Sequence, residues 1–429
     1  MHFAWPNKTQ RPLIGLLSAN AISQFGNTFS LIAIPWFVLE TTGSASQTGI
    51  SVATGVVPFV IVGILAGSIV DRMGYKRTSV ISDLLSFVSS LLIPVLYVTR
   101  GLEFWQLLLL VFIGAFFDSP GISARQALLP ELAQLANVSH ERANTAYSLI
   151  RRFAGLLGPP AAGIVLAATG ATNLLFFNAA TFAVSALIVA VTIPDLAVHR
   201  AEEAPSSVRE YLRDIQNGFH YLAANRLLVW MVLTGSIGSL VAEPLYTVIL
   251  PVYANEVLGS AAKLGFMYSA LAAGSILGNF LYLGIEARLP RGVIQIGGYG
   301  IRALAFAVLL FMPEWWVIAV ALFIGAVGLE PVNPMLMSIL QEQVPAGMRA
   351  RIYGVGSALF VVTAPIGIVV YGYLISWIGM DQTLTIFVAL NLALPLIMLC
   401  IPTLRHIPRL APAVVQEVRQ EDAPSPLST

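Results

Sequence analysis

Residues 67–77 read GSIVDRMGYKR, and this stretch places four charged side chains between two long apolar runs. The preceding run, residues 46–66, contains no charged side chain, and the following run, residues 78–99, contains only Asp83. Each run is long enough to cross a lipid bilayer, because a membrane-spanning helix needs about 20 residues. The pattern therefore predicts two membrane-spanning helices joined by a short charged loop at the membrane surface.

The composition of the whole chain also indicates a membrane protein. Of its 429 residues 57% are hydrophobic and 10% are charged, and the mean hydropathy is +0.80, whereas an average soluble domain has roughly 25% charged residues. Lipid offers no hydrogen-bond partner to the backbone, so apolar spans of this length must be helices. We predict an all-α membrane protein with 12 transmembrane helices, near residues 13–38, 46–70, 77–99, 104–126, 145–168, 172–193, 228–250, 264–285, 292–312, 315–340, 352–377 and 382–402.

The positive charges predict the orientation, because Lys and Arg residues that flank a span tend to remain in the cytoplasm. With a cytoplasmic N-terminus, Arg100 and Lys263 are external, Arg302 lies within a span, and the other 20 of the 23 Lys and Arg residues are cytoplasmic. Both the N- and C-termini are therefore predicted to be cytoplasmic. The first span lacks a convincing cleavage site, so we expect it to be retained.

A weak internal repeat divides the chain into two halves. The sequence FIGA at residues 112–115 recurs at residues 323–326. Pro159 in the fifth predicted span has a counterpart in Pro365 in the eleventh. Together such matches predict two pseudo-symmetric six-helix bundles around a central cavity.

The regions between and after the bundles are more polar. We expect bundles at residues 1–193 and 228–402, and between them a cytoplasmic linker at 194–227 that contains an amphipathic helix on the membrane surface. This helix either braces the two halves or has no role of its own. Residues 403–429 are expected to form a disordered cytoplasmic tail, because small, charged and proline residues dominate there.

Four of the predicted spans carry polar side chains along one helical face. These residues recur at spacings of three, four and seven, which place them on the same side of a helix. They are Asn20, Ser23, Gln24 and Asn27 in the first span, Asp118 and Arg125 in the fourth, Ser236, Ser239, Glu243 and Thr247 in the seventh, and Glu330, Asn333, Ser338 and Gln341 in the tenth. Because the four spans are equivalent positions in the two halves, the simplest arrangement is one polar cavity between the bundles.

Ionisable side chains inside spans often mark proton or substrate pathways, since a charge in lipid is costly. Glu330 lies about 15 residues into its span, near the bilayer midplane at about 1.5 Å per residue. It is expected to exchange a coupling proton or bind substrate, or else to pair with Arg302, which could instead attract an anionic substrate. Glu243 precedes Pro244, which predicts a kink, and Asp118 is a weaker candidate for the same roles. The sequence leaves these alternatives open.

The stretch at 67–77 resembles the signature of the major facilitator superfamily, whose fold is two six-helix bundles around a central cavity. The matching residues, here named the gate motif, are Gly67, Asp71, Arg72, Gly74, Lys76 and Arg77, and they fall between the second and third spans. Gly67 permits close helix approach and Gly74 permits a tight turn. The resemblance implies that the motif latches the cytoplasmic side when the cavity faces outward. Asp83 follows Arg77 by six residues, about 9 Å along a helix, and is expected to be a gate or packing partner.

Residues 155–163 read GLLGPPAAG and resemble the antiporter motif of the drug-exporting branches. Small residues and prolines allow helices to approach closely and to bend, and those of the motif are Gly155, Gly158, Pro159, Pro160 and Gly163. Longer stretches, at residues 22–30 and 340–351, look like the bacterial branch of macrolide, tetracycline-type multidrug and enterobactin exporters. Two positions depart from that branch, because Asn27 stands where Asp is common and Ser86 stands where Arg is common.

The resemblance implies a proton-coupled exporter of amphipathic small molecules, such as drugs or secondary metabolites, in the inner membrane of a bacterium. It implies H+ as the coupling ion with no cofactor or metal, and a monomer whose partners are a small-molecule substrate and the lipid bilayer, without nucleic acid. An importer or uniporter of a nutrient or siderophore-type solute is the main alternative, and a transport-inactive sensor is a remote one. A membrane enzyme is disfavoured, because the chain has no nucleophile elbow, phosphate loop, or paired His and Glu on one helix.

Overall fold

The computed structural model describes residues 9–195, 216, 218–345 and 348–407, and for residues 59–72, 350, 351, 353, 355 and 357 it describes the backbone alone. Every regular element in this part of the chain is helical. The helices are α1 (Arg11–Thr42), α2 (Ala45–Met73), α3 (Tyr75–Thr99), α4 (Phe104–Leu135), α5 (His140–Thr169), α6 (Ala171–Thr192), α7 (Arg226–Pro244), α8 (Leu250–Glu256), α9 (Ala261–Ile285), α10 (Arg291–Ala307), α11 (Trp315–Leu329), α12 (Val332–Gln343), α13 (Arg349–Leu399) and α14 (Pro402–Arg405). A π-helical turn, Leu245–Ile249, joins α7 to α8, and a 3-10 turn, Val308–Phe311, follows α10.

The turns between helices have the backbone conformations that their residues favour. Gly43, Gly74 and Gly170 have positive φ angles of 61°, 81° and 85°, which glycine adopts readily because it has no Cβ atom. The side chain of Ser139 accepts a hydrogen bond from the backbone N–H of Arg142 and so caps α5. Because such short turns reverse the chain, successive long helices run antiparallel and their ends gather at two faces of the molecule.

The two faces differ in charge. The basic face is the end that carries Arg11, Lys76, Arg77, Arg226, Arg291 and Arg405. The opposite face is the end that carries the turns at Gly43, Gly101, Gly170, Gly259 and Gly379, together with Arg100 and Lys263. This asymmetry is the one expected if the basic face lies in the cytoplasm, and that orientation stays a prediction.

Ten helical segments of the described chain are long and apolar enough to cross a membrane, so the protein is a multi-pass membrane protein. One of them, Ala358–Leu399, consists of two helices that meet at a kink at Gly379, where φ is 82° and ψ is 172°. Helix α2 is a further helix of 29 residues. The predicted number of twelve spans requires that α2 and both parts of α13 cross the membrane, and it stays a prediction.

Several helices are longer than the spans predicted from hydropathy. Helix α1 continues to Thr42, and α4 continues to Leu135 and includes Pro130. Helix α5 begins at His140, five residues before the predicted span. The difference arises because an apolar run reports the thickness of the hydrocarbon core, whereas a helix can continue into the polar zone beyond it.

Buried apolar side chains form three clusters. The largest joins the two halves near the opposite face and includes Trp36, Phe37, Leu174, Leu250, Val252 and Phe387. The other two clusters lie near the basic face. The cluster of the N-terminal half includes Leu16, Leu128 and Leu132, and the cluster of the C-terminal half includes Met231, Met335 and Met398. The described halves therefore share a core at the opposite face and have separate cores towards the basic face.

Most of the contact between the halves comes from two helix pairs, α5 with α9 and α2 with α13, and α1 also contacts α8. Glycines bring the backbones together there, because a Cβ atom on Gly163 would lie 2.6 Å from the carbonyl oxygen of Ala261. Likewise, a Cβ atom on Gly49 would lie 2.8 Å from the carbonyl oxygen of Ile368. Both contacts lie in the parts of these helices nearer the opposite face, where small residues let membrane helices pack closely.

The linker and the tail differ in part from the sequence expectation. Most of the expected amphipathic helix lies outside the described residues; its described part, residues 218–224, is helical, and Leu222 packs into the core of the C-terminal half. The disordered tail is expected at 403–429, but Pro402–Arg405 form the helix α14. Leu404 of α14 is fully buried, since α14 packs against α10. Residues 408–429 lie outside the described part.

Candidate functional site

The N-terminal half contains a cavity of about 400 Å³. Its walls come from α1, α2, α3 and α4, with Phe182 of α6, and its polar lining includes Gln24, Asn27, Ser30, Ser51, Ser86 and Asp118. The remaining walls are mostly apolar. We name this space the N cavity.

Asp118 is the carboxylate of the N cavity. It is 5% exposed, and its Oδ2 accepts a hydrogen bond of 3.0 Å from Nδ2 of Asn27. Its Oδ1 is buried and has no hydrogen-bond partner among the described residues. No described Lys, Arg or His nitrogen lies within 4.0 Å of it, so the group is held by one neutral amide.

Arg125 lies seven residues after Asp118 on α4 but is engaged elsewhere. Its Nη1 donates to both carboxylate oxygens of Asp83, at 2.8 and 2.9 Å, and its Nη2 donates to the hydroxyl of Ser23 at 3.1 Å. The hydroxyl of Ser185 donates to Asp83 at 2.7 Å. Asp83 and Arg125 are fully buried. The ion pair thus ties α1, α3, α4 and α6 together inside the N-terminal half, and the role of Asp83 as a gate or packing partner stays a prediction.

A second cavity, of about 380 Å³, lies in the C-terminal half. Its polar lining includes Glu243, Gln295, Tyr299, Arg302, Glu330 and Asn333, contributed by α7, α10, the α11–α12 junction and α12. We name this space the C cavity. The polar residues thus line two spaces, one in each half, and a single polar cavity between the bundles stays a prediction.

Both glutamates of the C cavity lie where a helix is irregular. Glu243 precedes Pro244, and the kink predicted there takes the form of the π-helical turn Leu245–Ile249. Glu330 lies between α11 and α12, just before Pro331. Irregular turns inside membrane helices are tolerated where they line a cavity, and they are frequent at functional sites.

Arg302 does not form the ion pair with Glu330 that the sequence left open. Glu330 Oε2 instead accepts hydrogen bonds from the amides of Asn279 at 3.2 Å and Asn333 at 3.5 Å. Arg302 lies over the ring of Tyr299, with its guanidinium carbon 4.9 Å from the ring centroid. It is 7% exposed, and its Nε has no hydrogen-bond partner in the described chain.

A smaller apolar cavity of about 160 Å³ adjoins the C cavity towards the basic face. The two share the lining residues Met231, Asn333, Leu336 and Phe360. Its other walls include Leu228, Val232 and Met337. We name it the apolar annex.

The gate motif is described only in part. Gly67, Asp71 and Arg72 lie in α2, of which only the backbone is described at these positions. Gly74 forms the turn with φ of 81°, and Lys76 forms an ion pair of 3.5 Å with Asp195, which is largely exposed, while Arg77 is exposed. The latch role of the motif stays a prediction.

The antiporter motif connects α5 to two neighbouring helices. A Cβ atom on Gly158 would lie 2.7 Å from a methyl carbon of Thr28 in α1. Gly163 faces α9 of the other half, and the backbone of Pro159 and Pro160 packs against Gly265 of that helix. Gly155 is exposed, and a Cβ atom on it would meet nothing within 4 Å. The motif therefore contributes directly to the contact between the halves.

Most of the cavity residues predicted from the sequence come together as two groups. Gln24, Asn27 and Asp118 line the N cavity, and Glu243, Arg302, Glu330 and Asn333 line the C cavity. Asn20 lies outside both linings; it is fully buried, and neither polar atom of its side chain has a partner in the described residues. The roles of all these residues stay predictions.

Sequence reasoning missed Gln295 and Tyr299 of the C cavity, and Asn279, which contacts Glu330. Gln295, Tyr299 and Arg302 follow each other on α10 at spacings of four and three, which place them on one helical face. That signal was present in the sequence. Asn279 of α9 gives no such signal, because it is a single polar residue that becomes significant only through its contact with Glu330.

Comparisons with known proteins agree with this architecture. The family model described as Major Facilitator Superfamily matches residues 16–367 and 247–429. The chain is 28% identical over 396 residues to a protein named multidrug efflux pump Tap from Mycolicibacterium fortuitum, covering 92% of this chain and 95% of that protein. It is 20% identical over 373 residues to macrolide efflux protein A from Streptococcus pyogenes, covering 85% of this chain and 89% of that protein.

Solved structures show the same fold at low sequence identity. The nucleoside transporter NupG matches with a TM-score of 0.74 at 13% identity, covering 91% of this chain and 98% of NupG. A bacterial homologue of the iron transporter ferroportin matches with a TM-score of 0.73 at 14% identity, covering 91% of this chain and 98% of that one. The chain belongs to the major facilitator superfamily and is a transporter rather than an enzyme.

Proposed function

We propose that this protein exports amphipathic small molecules across the inner membrane of a bacterium in exchange for protons. The direction is supported by the relatives named as multidrug and macrolide efflux proteins, which align along 85% or more of the chain. Two cavities with polar groups set in apolar walls suit substrates that have both kinds of surface. We propose twelve spans with both termini in the cytoplasm.

The proposal of proton coupling rests on the environment of the Asp118 carboxyl group. It is a buried carboxyl group that lines a cavity, has one unpaired oxygen and has no cation within 4.0 Å in the described structure. A group of this kind inside a membrane protein is a candidate proton carrier. Arg125, the nearest charge along α4, forms its ion pair with Asp83 and none within 4.0 Å with Asp118.

Alternating access is supported by the unequal contacts between the halves. The halves pack tightly at the opposite face and have separate cores towards the basic face. With the basic face in the cytoplasm, this arrangement is an inward-facing state. Rocking of one half against the other would open the opposite face, and the gate motif at the α2–α3 turn would then close the cytoplasmic side.

Transport into proteoliposomes with an imposed pH gradient tests the proposal. Ethidium, erythromycin and norfloxacin are first ranked by thermal stabilisation of the purified protein, and the best binder is used. Antiport predicts accumulation when the lumen is acidic, because protons leave as substrate enters. Asp118→Asn is expected to lose gradient-driven accumulation at least about tenfold, while exchange of labelled for unlabelled substrate without a gradient continues. Asp381→Asn is the matched control, since Asp381 is exposed at the opposite face.

Other outcomes contradict the proposal. Accumulation that requires an acidic exterior would indicate proton symport and therefore import. Flux independent of the gradient would indicate a uniporter. Full proton-driven accumulation by Asp118→Asn, Glu330→Gln and Glu243→Gln variants, singly and together, would exclude coupling through these carboxylates.

A further inference from the structure

Arg302 is a buried cation that forms no ion pair with any described residue. It also forms no hydrogen bond in the described residues. Only 7% of it is exposed, and it lines the C cavity. A guanidinium group has five donors that match a carboxylate or phosphate, and a charge left unpaired in a buried site is costly. The position of Arg302 is therefore suited to an anionic group that enters from outside the chain.

Glu243 presents the opposite charge to the same cavity. Its carboxylate makes no hydrogen bond and no ion pair within 4.0 Å in the described structure, and its backbone carbonyl alone is bonded, to Thr247. Arg302 and Glu243 attract each other electrostatically, yet they do not close into an ion pair. The two groups lie on different helices, Glu243 on α7 just before the π-helical turn and Arg302 on α10 over the ring of Tyr299.

Two unpaired opposite charges in one cavity favour a ligand that carries both. A purely cationic ligand would satisfy Glu243 and bring a second positive charge near Arg302. A purely anionic ligand would satisfy Arg302 and be repelled by Glu243 and Glu330. A ligand with an acidic group and a basic group can neutralise both sites, since a paired buried charge is much less costly than an isolated one.

The apolar annex indicates the rest of the ligand. It opens from the C cavity past Met231 and Phe360, and its walls include Leu228, Val232 and Met337. Methionine and aromatic side chains adapt to varied apolar shapes. The C cavity of about 380 Å³ lies within the range of sites for small organic molecules.

We propose that the C cavity is the binding site for zwitterionic amphipaths, with the acidic group on Arg302, the basic nitrogen on Glu243 and the apolar part in the annex. This rests on the proposed function in that it names the substrate class of the same transporter. It divides the roles between the halves, because the C cavity binds substrate while Asp118 in the N cavity carries the proton.

Binding to the purified protein in nanodiscs tests the substrate class without a pH gradient. The probes are norfloxacin, ampicillin and phenylalanyl-phenylalanine, each compared with its methyl ester, which removes the acid, and its N-acetyl form, which removes the basic amine. We expect at least one of these zwitterions to bind about tenfold more tightly than both of its blocked forms. Weaker binding of every zwitterion than of its ester, equal binding of the three forms, or no binding of any zwitterion would overturn the proposal.

Variants assign the two charged groups. Arg302→Gln should abolish the preference for zwitterion over ester and leave binding of the ester within about twofold, and Arg302→Lys should retain part of the preference. Glu243→Gln should abolish the preference over the N-acetyl form. Arg100→Gln, at an exposed arginine of the opposite face, is the matched control and should change neither ratio.

Equal weakening of all three probe forms by Arg302→Gln and Arg302→Lys would show a structural role and overturn the assignment. Because no proton gradient is used, failure here leaves proton antiport intact, and failure of antiport leaves these ratios intact.

Discussion

The buried ion pair between Asp83 and Arg125 makes a quantitative prediction about stability. Arg125→Met keeps an unbranched apolar stem but removes the guanidinium group, which leaves the Asp83 carboxylate without its cation. Both side chains are at most 1% exposed, so the small value typical of exposed pairs does not apply. Breaking a buried pair by removing one partner costs about 3–5 kcal/mol. For a unit the size of the N-terminal six-helix bundle, each kcal/mol lowers the Tm by about 2–4 °C, so the expected loss in apparent Tm is on the order of 10 °C.

The double variant Asp83→Leu with Arg125→Met distinguishes the cost of leaving the Asp83 carboxylate unpaired from the cost of the lost packing contacts. It removes both charges and leaves the hydroxyls of Ser185 and Ser23 without their partners, at about 1 kcal/mol each. We therefore expect the double variant to be destabilised by about 2 kcal/mol, less than Arg125→Met alone. Thermal unfolding in detergent measures the apparent Tm, and Arg100→Met at an exposed site is the control. A shift of a degree or less in Arg125→Met, or additive losses in the double variant, would refute the reasoning.

Two further predictions concern contacts between elements. Gly163→Leu should separate α5 from α9, because even its Cβ atom would lie 2.6 Å from the carbonyl oxygen of Ala261. Spin labels at the ends of these two helices should report a longer distance. Gly155→Leu is the control and should leave that distance unchanged, because its Cβ atom would have nothing within 4 Å; equal effects of the two variants would contradict the assigned interface. Tyr221→Phe removes the 2.9 Å hydrogen bond that the tyrosine hydroxyl donates to the carbonyl oxygen of Gln343, at a cost of about 1 kcal/mol. Amide hydrogen exchange of residues 218–224 should therefore become several-fold faster. Unchanged exchange would show that other contacts hold this part of the linker.

The helical membrane architecture could be predicted from the sequence because the bilayer imposes a length and a hydrogen-bonding rule on every span. Predicted spans such as 13–38 and 172–193 fall within α1 and close to α6. The kink at Pro244 was also predictable, because proline lacks the N–H that an uninterrupted helix requires. The ends of the helices were harder to predict, because hydropathy does not show where a helix ends once it extends beyond the lipid.

The grouping of polar residues into two cavities could not be predicted from single spans. Spacing on one helix shows which residues share a face, but the partner on another helix depends on packing between spans distant in sequence. Asp118 and Arg125 share a face of α4, yet one contacts Asn27 in α1 and the other contacts Asp83 in α3. The same limit applies to Glu330, because the sequence allows Arg302 as its partner, whereas its observed partners are the amides of Asn279 and Asn333.

The direction of proton movement that accompanies substrate entry tests the central claim most directly. Proteoliposomes are loaded with a pH-sensitive dye and receive a substrate pulse from outside, with the membrane potential clamped and no initial pH gradient. Antiport predicts that the lumen becomes more alkaline in the wild type, because protons leave as substrate enters, and that the signal is absent in Asp118→Asn. Acidification of the lumen, or substrate entry with no change in lumenal pH, would contradict the account.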